Sequence, residues 1–566
     1  MEQNLDIGPG DEQARKVEDY CNGMFEDMKR ERAYIEPMWK EISDFMLPEY
    51  SGWDFQIDED ITAGEKIFDG ASIAAHSRLA DGIFGWLVSP TIPWLEFVPK
   101  DPKNIDNKKF MEYMKELQMY LYDVFNRSNF YDAISEDLHI GSGIGTSVMT
   151  VDNADSLERP VYKPLHPREI YIAENRYGEV DTLARRYQIT RRQLIQEFGS
   201  VMDAKKKKEL MQDPGKMVFM RHFVFPNEDY INSGEVKLGS KKKFLSVHIC
   251  EGFSPSGYQK QDGGSILRLS GMDERKFEAW RFYHASGQVY GTCPAMKAIY
   301  DIKMLNMKAK TMMDSDQLDA KPPIQTSELM KGKLRIAPGG VTYGMDEVRP
   351  IFNQRTSQRG IESMQRSEQI LREHFKTDFF QSISQLQAGS RERTSNEIDQ
   401  VKAESAAVMG AVVGRIQSER LDPLIRMTLL IEREANRLPP IPQGLDPNSV
   451  FELRFMGPLA QSQRKYLRVQ GITAGLGAAM QLAQAAPDSL MNFDLNWAAR
   501  ELAVANGYPY EGLLEVEETK KMQQQAAQQR AQMAQAQMEN ERMAAMGRAS
   551  RTPEEGSPTS KAMGGR

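Results

Sequence analysis

Two long stretches of helical periodicity, joined by a segment that cannot be helical, constrain this chain more than any other feature. Over residues 294–320, Ala295, Ala298, Ile302, Leu305, Ala309 and Met312 recur on one side, and Lys297, Asp301, Lys308 and Asp314 lie off it. At 1.5 Å per residue such a helix is about 40 Å long. Pro322 and Pro323 stop it. A second helix is predicted near 356–376, with Ile361, Met364, Leu371 and Phe375 on one side. Between the two, turns and short strands are expected, including "LRIAPGGVTYG". The order is helix, small β segment, helix, in a chain whose 566 residues imply several domains or one large elongated subunit.

The rest of the chain reads as helices with interspersed strands. Residues 15–47 carry Val17, Cys21, Met24, Met28, Ile35, Met38, Ile42 and Phe45 at steps of three and four, predicting one long helix with a skipped turn near Glu31, closed by Pro48. Helices are also expected over 70–88, 107–126 and 130–139, with extended "WLEFV" after Pro90 and Pro93. "TSVMTVDN" alternates like a strand, and 161–190 reads as a hairpin turning at Arg176–Gly178. Thr190 is placed to cap a short helix, "RRQLIQEF", that Gly199 ends. Over 200–290, strands mix with two lysine runs, Lys205–Lys208 and Lys241–Lys243, which read as solvated faces. "TSNE" at 394–397 forms a capping box that opens a helix to about residue 437, kinked at Pro423 and ended by Pro439 and Pro440. A strand "VFELRFMGPL" and helices over 460–485 and 494–505 follow. Residues 515–547 are nearly all helix formers with a thin apolar stripe, so that helix needs copies of itself to bury anything. Residues 548–566 read as a disordered tail.

Chemistry is sparse. "HIGSGIGTSVMTVDN" packs glycines at 141, 143 and 145 and invites comparison with a phosphate cradle. Such a cradle needs strand, loop, helix, so that a helix N-terminus faces the anion. Here the order is helix, loop, strand, the spacing is not G-x-G-x-x-G, and no Walker lysine follows; a tight turn needing positive φ is expected instead. Seven histidines are scattered without a close ligand pair, and Asp314, Asp316 and Asp319 lack the glycine turn and terminal Glu of a calcium loop. No G-x-S-x-G elbow occurs. Cys21, Cys250 and Cys293 lie far apart, so neither a disulfide framework nor a zinc ribbon is expected, and a reducing interior is the natural setting. No catalytic residue, metal or cofactor is assigned. The net charge of −8 means that the surface as a whole is not built to coat nucleic acid. The polar N-terminus has no apolar core of a secretion signal, and the most apolar stretch, 83–98, is too short to cross a bilayer as a helix. A soluble protein with no membrane partner is expected.

Several phrases together resemble the portal, or head-to-tail connector, family of short-tailed bacteriophages. "LADGIFGWLVSPTIPWLEF" is similar to that family's early helix and Pro-Trp motif, and "NRYGEVDTLARRYQITRRQLIQEFG" to its hairpin and short helix. "WRFYHASGQVYGTCPAMKAIYDIKMLNMKAKTMMDSDQLDAKPP" resembles its Tyr-Gly…Pro opening and long helix, although Cys293 departs from the usual small or basic residue. "TSNEIDQ", "SERLDPLI" and "FMGPLAQSQR" resemble later passages in the same order, so the likeness spans roughly residues 15–510. It implies an α+β, mainly helical portal fold assembled as a ring, a dodecamer in most of the family. The parts would be a wing (1–293), a stem helix (294–320), a clip (321–352), a second stem helix (353–376) and a channel loop (377–393). Wing again (394–459), a crown (460–514), a barrel helix (515–547) and the tail (548–566) would follow.

The implied role is a conduit for double-stranded DNA at one capsid vertex, in packaging and in ejection. The implied partners are the terminase large subunit, the major capsid and scaffolding proteins, and tail adaptor proteins. The implied place is the virion, after assembly in the host cytoplasm. A strongly basic channel would grip phosphates and stall movement, so a net acidic subunit suits a conduit. A few cations at a constriction can steady the backbone without reading bases, and Arg391 and Arg393 are the candidates. Lys331, Lys333 and Arg335 are candidates for contact with motor or tail proteins. Two alternatives stay open: another virion protein, such as a tail adaptor or internal ejection protein, and a nucleotide-dependent enzyme built on the glycine motif.

Overall fold

The computed structural model describes residues 3–4, 12–53, 64, 66–91, 93–100, 108–154, 158–233, 241–252, 265–320, 324–325, 349–350, 358–377, 409–440, 451–456, 471–481 and 495–505, with scattered positions between 522 and 544. Two compact units divide the chain at residues 462 and 463.

In the first unit the single helix expected over 15–47 is two, α1 (Glu12–Arg32) and α2 (Glu36–Phe45). Pro37 is the cause: it lacks the N–H that would bond to Ala33, and its ring would strike that carbonyl. The break sends the two helices into different cores. α1 lays Val17, Cys21, Phe25 and Met28 on a sheet, and α2 buries Trp39 and Ile42 among the helices. Arg32, at the end of α1, is 2% exposed and donates to the carbonyls of Arg168 and Ile170 at 3.0 and 2.8 Å. Its guanidinium lies 4.3 Å from the centre of the Tyr171 ring.

The sheet under α1 has six antiparallel strands in the order β1-β9-β8-β7-β6-β5: β1 (Gln3–Asn4), β5 (Ile170–Glu174), β6 (Val180–Thr190), β7 (Met217–Pro226), β8 (Phe244–Cys250) and β9 (Ser265–Met272). Alternation sorts its faces: Phe223, Phe225, Leu245, Val247 and Leu269 meet α1, whereas Tyr187, Met220 and Cys250 meet Leu194 and Phe198 of α6 (Arg191–Phe198). The expected hairpin is β5–β6, turned by Asn175, whose Oδ1 accepts from the N–H groups of Tyr177 and Glu179, and by Gly178 at φ +80°. The Thr190 cap on α6 is present as a full box with Gln193.

The main core is mostly helical. It joins α2, α3 (Ala71–Leu87), α4 (Lys108–Arg127) and α5 (Phe130–Ile144) to a three-stranded sheet, β10-β3-β4, made of β3 (Thr146–Ala154), β4 (Arg159–Pro164) and β10 (Phe277–Arg281). The extended "WLEFV" is β2 (Leu95–Pro99), and its partner is β13 (Phe451–Phe455), the later strand read from the sequence.

Two long helices leave this core: α9 (Pro294–Ala320) and α10 (Gln358–His374). Between them β11 (Ile324–Gln325) pairs antiparallel with β12 (Arg349–Pro350). Of the helix expected over 394–437, residues 409–434 are described and helical, with a π turn at Ile416–Leu421 before Pro423. In the second unit, 471–481 and Leu495–Ala505 are helical. Residues 535–544 are helical too, and every described side chain between 522 and 544 is exposed.

Candidate functional site

The glycine motif is not a loop, and this corrects the sequence expectation. α5 runs through Gly141 and Gly143 to Ile144, and only Gly145 is left-handed, at φ +92°. The other two glycines are there for close approach. A Cβ on Gly141 would lie 2.1 Å from Cζ2 of Trp280, and one on Gly143 would lie 2.6 Å from Leu47. At Gly145 it would lie 2.5 Å from the Gly291 carbonyl oxygen, and at Gly291 2.4 Å from that of Gly145. These contacts seat the segment that leads into α9, which pairs Thr292 with Tyr283 in an isolated bridge. Phe282 donates its N–H to the Gly145 carbonyl (2.9 Å), Gly291 to Thr146 Oγ1 (2.8 Å), and the Cys293 thiol to the Gly143 carbonyl (3.0 Å). The motif closes a helix C-terminus, the negative end of its dipole, which repels phosphate.

Beneath this seat lies a buried ion pair. Asp137 on α5 and Arg420 in the π turn are both fully buried and meet at 2.7 Å. The Asp137 carboxylate also accepts from Ser147 Oγ and Trp280 Nε1, each at 2.7 Å. Arg420 further donates to the carbonyls of Glu278 (2.8 Å) and Ser147 (3.0 Å). Burial pushes the Asp137 carboxyl up and the Arg420 guanidinium down, and the charge of each partner opposes that shift. These contacts tie α5, β3, β10 and the π turn together, as a positioning centre rather than a reactive one. Nearby His76 bonds Ser142 Oγ at 3.0 Å and the His139 carbonyl at 3.1 Å, and burial holds its ring at about 3, hence neutral.

α9 starts from this root. Ala295, Ala298, Ile299, Ile302 and Leu305 are buried against the core. Asn306 clasps the chain before α3: its Oδ1 accepts from Phe68 N–H (2.6 Å) and Asp69 N–H (3.3 Å), and its Nδ2 donates to the Lys66 carbonyl (2.6 Å). Against α10 the seam is polar, with Lys308 Nζ donating to Ser363 Oγ at 2.8 Å and to Ser367 Oγ at 3.0 Å. A third face is uncovered. Tyr300, Met304 and Met307, at helical spacing, are 75, 42 and 71% exposed.

Arg391, Arg393, Lys331, Lys333 and Arg335 lie outside the described residues. Sequence reasoning missed Asp137 and Arg420; the available signal was a charged residue set in each helix's apolar stripe. Among the described residues no three His, Cys, Asp or Glu side chains gather where they would hold a metal, and no helix is long and apolar enough to cross a membrane. The three cysteines are free and buried, and burial pushes the Cys250 and Cys293 thiols up to about 12.

The family model for bacteriophage head to tail connecting protein matches residues 18–514. The portal protein of Salmonella phage epsilon15 is 27% identical over 522 residues, which cover 88% of this chain and 90% of that one. The probable portal protein of Bordetella phage BPP-1 is 28% identical over 491 residues, 83% of this chain and 84% of that one. With the family model covering nearly the whole chain, the protein belongs to the bacteriophage head-to-tail connecting family.

Proposed function

We propose that the protein is a phage portal subunit. Copies form a ring, a dodecamer, at one vertex of the capsid, and double-stranded DNA passes through its centre during packaging and ejection. α9 and α10 are the stem, the β11–β12 segment belongs to the clip, and residues 377–393 form the channel loop. The terminase motor docks first and tail adaptor proteins later, with Lys331, Lys333 and Arg335 on the docking side. The observation that carries ring assembly is the ridge of Tyr300, Met304 and Met307, which no part of the same chain covers among the described residues. Exposed apolar ridges of this kind mark contact with another molecule, and heterologous contacts that close make rings. The exposed methionines of the terminal segment, Met533, Met538 and Met543, support the same reading, since neighbours in a ring would cover them.

Negative-stain electron microscopy of the purified protein tests this proposal. Rings with a central hole that admits a DNA duplex are expected. Small particles that persist at high protein concentration would refute it. Replacing Arg391 and Arg393 by Ala is expected to leave the rings intact while altering DNA packaging or retention. Wild-type packaging by that double variant removes both arginines from the channel.

A further inference from the structure

The two lysine runs differ in what surrounds them. Lys241–Lys243, just before β8, is tied in: Lys242 Nζ pairs with Asp273, and Asn227 Nδ2 donates to the Lys242 carbonyl at 3.0 Å. Lys205–Lys208 stands on a small lobe, residues 191–217, which folds over the α6 face of the six-stranded sheet. The lobe consists of α6, a 3-10 turn (Gly199–Val201), a short helix α7 (Ala204–Leu210) and the turn that leads into β7. Phe198, Met202 and Leu210 fill its underside, against Met220 and Cys250 of the sheet. Two backbone bonds close it, from the Arg191 and Arg192 N–H groups to the carbonyls of Lys216 (3.0 Å) and Pro214 (3.1 Å).

The outer side of the lobe is basic. The lobe carries seven Lys or Arg against four Asp or Glu, in a chain whose net charge is −8. Two of the four acids are already engaged: Glu209 pairs with Lys206 at 3.1 Å, and Glu197 faces Arg268, which donates to its carbonyl at 3.2 Å. The exposed side chains of Arg192, Lys205, Lys208 and Lys216 meet no ion-pair or hydrogen-bond partner among the described residues. Solvated lysines alone need no explanation. These cations, however, are interleaved with apolar side chains: Val201, Met211 and Met217 are 42, 55 and 51% exposed. Lys205, Lys208 and Met211 follow at three-residue steps along α7. Met217 stands opposite Thr190, beside Arg191 and Arg192. Next to Lys241–Lys243 no large apolar side chain is exposed among the described residues.

The mixture selects the partner. Phosphates would satisfy the cations but leave the methionines against a charged backbone. An acidic polypeptide with apolar side chains satisfies both, and the flexible methionine thioether adapts to such a partner. We propose that the lobe formed by residues 191–217 is a docking surface for an acidic segment of another protein, one that carries apolar side chains among its carboxylates. The lobe rests on a satellite core that includes no residue of α9 or α10, and the proposal does not depend on ring formation.

Fluorescence anisotropy with the full-length protein tests the lobe, using labelled probes of similar negative charge: an amphipathic peptide of Glu and Leu, poly-glutamate and a DNA duplex. The Glu/Leu peptide is expected to bind at least about tenfold more tightly than either of the others. Met211→Ser with Met217→Ser is expected to bring it down to the level of poly-glutamate. Lys205→Glu with Lys208→Glu is expected to weaken both polypeptide probes at least about tenfold. All four positions are exposed, so melting and the particles seen by microscopy are expected to stay as in wild type. Equal binding of the Glu/Leu peptide and poly-glutamate reduces the lobe to a solvated basic face and overturns the proposal. Tightest binding of the duplex overturns it in favour of nucleic acid. Peptide binding that neither pair of substitutions changes lies elsewhere and rejects the lobe. Rings lost in the lysine variant, with melting unchanged, make the occupant a second copy of this chain and overturn it too.

Discussion

Gly141→Ala adds one methyl group, and its cost follows from what that methyl meets. The new Cβ would lie 2.1, 2.6 and 2.7 Å from three atoms of the Trp280 indole. The ring cannot step aside freely, because its Nε1 donates to Asp137 at 2.7 Å and Asp137 in turn holds Arg420. Overpacking of this kind costs about 1–3 kcal/mol, and losing a buried hydrogen bond to a charged group costs about 1.5–3 kcal/mol more. Alanine's better helix propensity returns about 1 kcal/mol. The net loss is roughly 1.5–5 kcal/mol. With a urea dependence of about 3 kcal/mol/M, the midpoint falls by roughly 0.5–1.7 M. Pulse proteolysis across a urea series reads that midpoint. Gly410→Ala is the matched control, a helical glycine with nothing within 4 Å of the added Cβ, and it is expected to be neutral or slightly stabilising. A Gly141→Ala midpoint that coincides with wild type would refute the close-approach account of the motif.

Asp137→Asn leaves the Arg420 cation buried without its counter-charge and is expected to cost about 3–5 kcal/mol; a loss below about 1 kcal/mol by the same assay contradicts a central role for the pair. His76 and His166 are both held at about 3 by burial, so they stay neutral in the fold and take up protons on unfolding. Their contribution is complete above the unfolded value of about 6.5 and is lost as pH falls below it. Between about pH 6 and 4, His76→Gln should flatten the stability slope by up to about 1.4 kcal/mol per pH unit, and an unaltered slope means that His76 is not buried as described. Met307→Asp, on the uncovered ridge of α9, should weaken ring formation while leaving subunit melting unchanged; intact rings at wild-type concentrations move the subunit contact elsewhere.

Much of this architecture is legible in the sequence where the signal is local. Thr190 and Gln193 specify their capping box within four residues, and the β5–β6 hairpin carries its turn chemistry at Asn175 and Gly178. α9 begins and ends where its proline punctuation sets it. What escapes is long-range. Apolar periodicity keeps its phase from Val17 to Phe45, so the break before Pro37 is invisible to a period count although the proline itself marks it. Gly141 looks like a turn residue because its neighbours are small; its actual constraint is an indole 139 positions later. Asp137 and Arg420 stand 283 residues apart; each interrupts an apolar stripe, but nothing local says which partner it meets.

Exposed apolar side chains are scattered over this protein, on α4 at Met119 and in the β5–β6 turn at Tyr177 as well as on α9. In the body even ionic groups are enclosed with their partners, as Asp137 with Arg420 and Arg185 with Glu169 at 2.9 Å show. What sets α9 apart is that three exposed apolar side chains, Tyr300, Met304 and Met307, lie at helical spacing on one face, whereas Tyr34 and Tyr177 stand singly. A contiguous apolar ridge of this kind, unlike single exposed residues, is a candidate contact with another molecule. Because the ridge lies on one face of α9, with α10 and the core on the other two, the proposed ring puts the neighbouring subunit's contact on the side of this helix. A partner docking only at the β11–β12 tip would leave Tyr300 wet, since Tyr300 is in the second turn of α9, at the root and not at the tip.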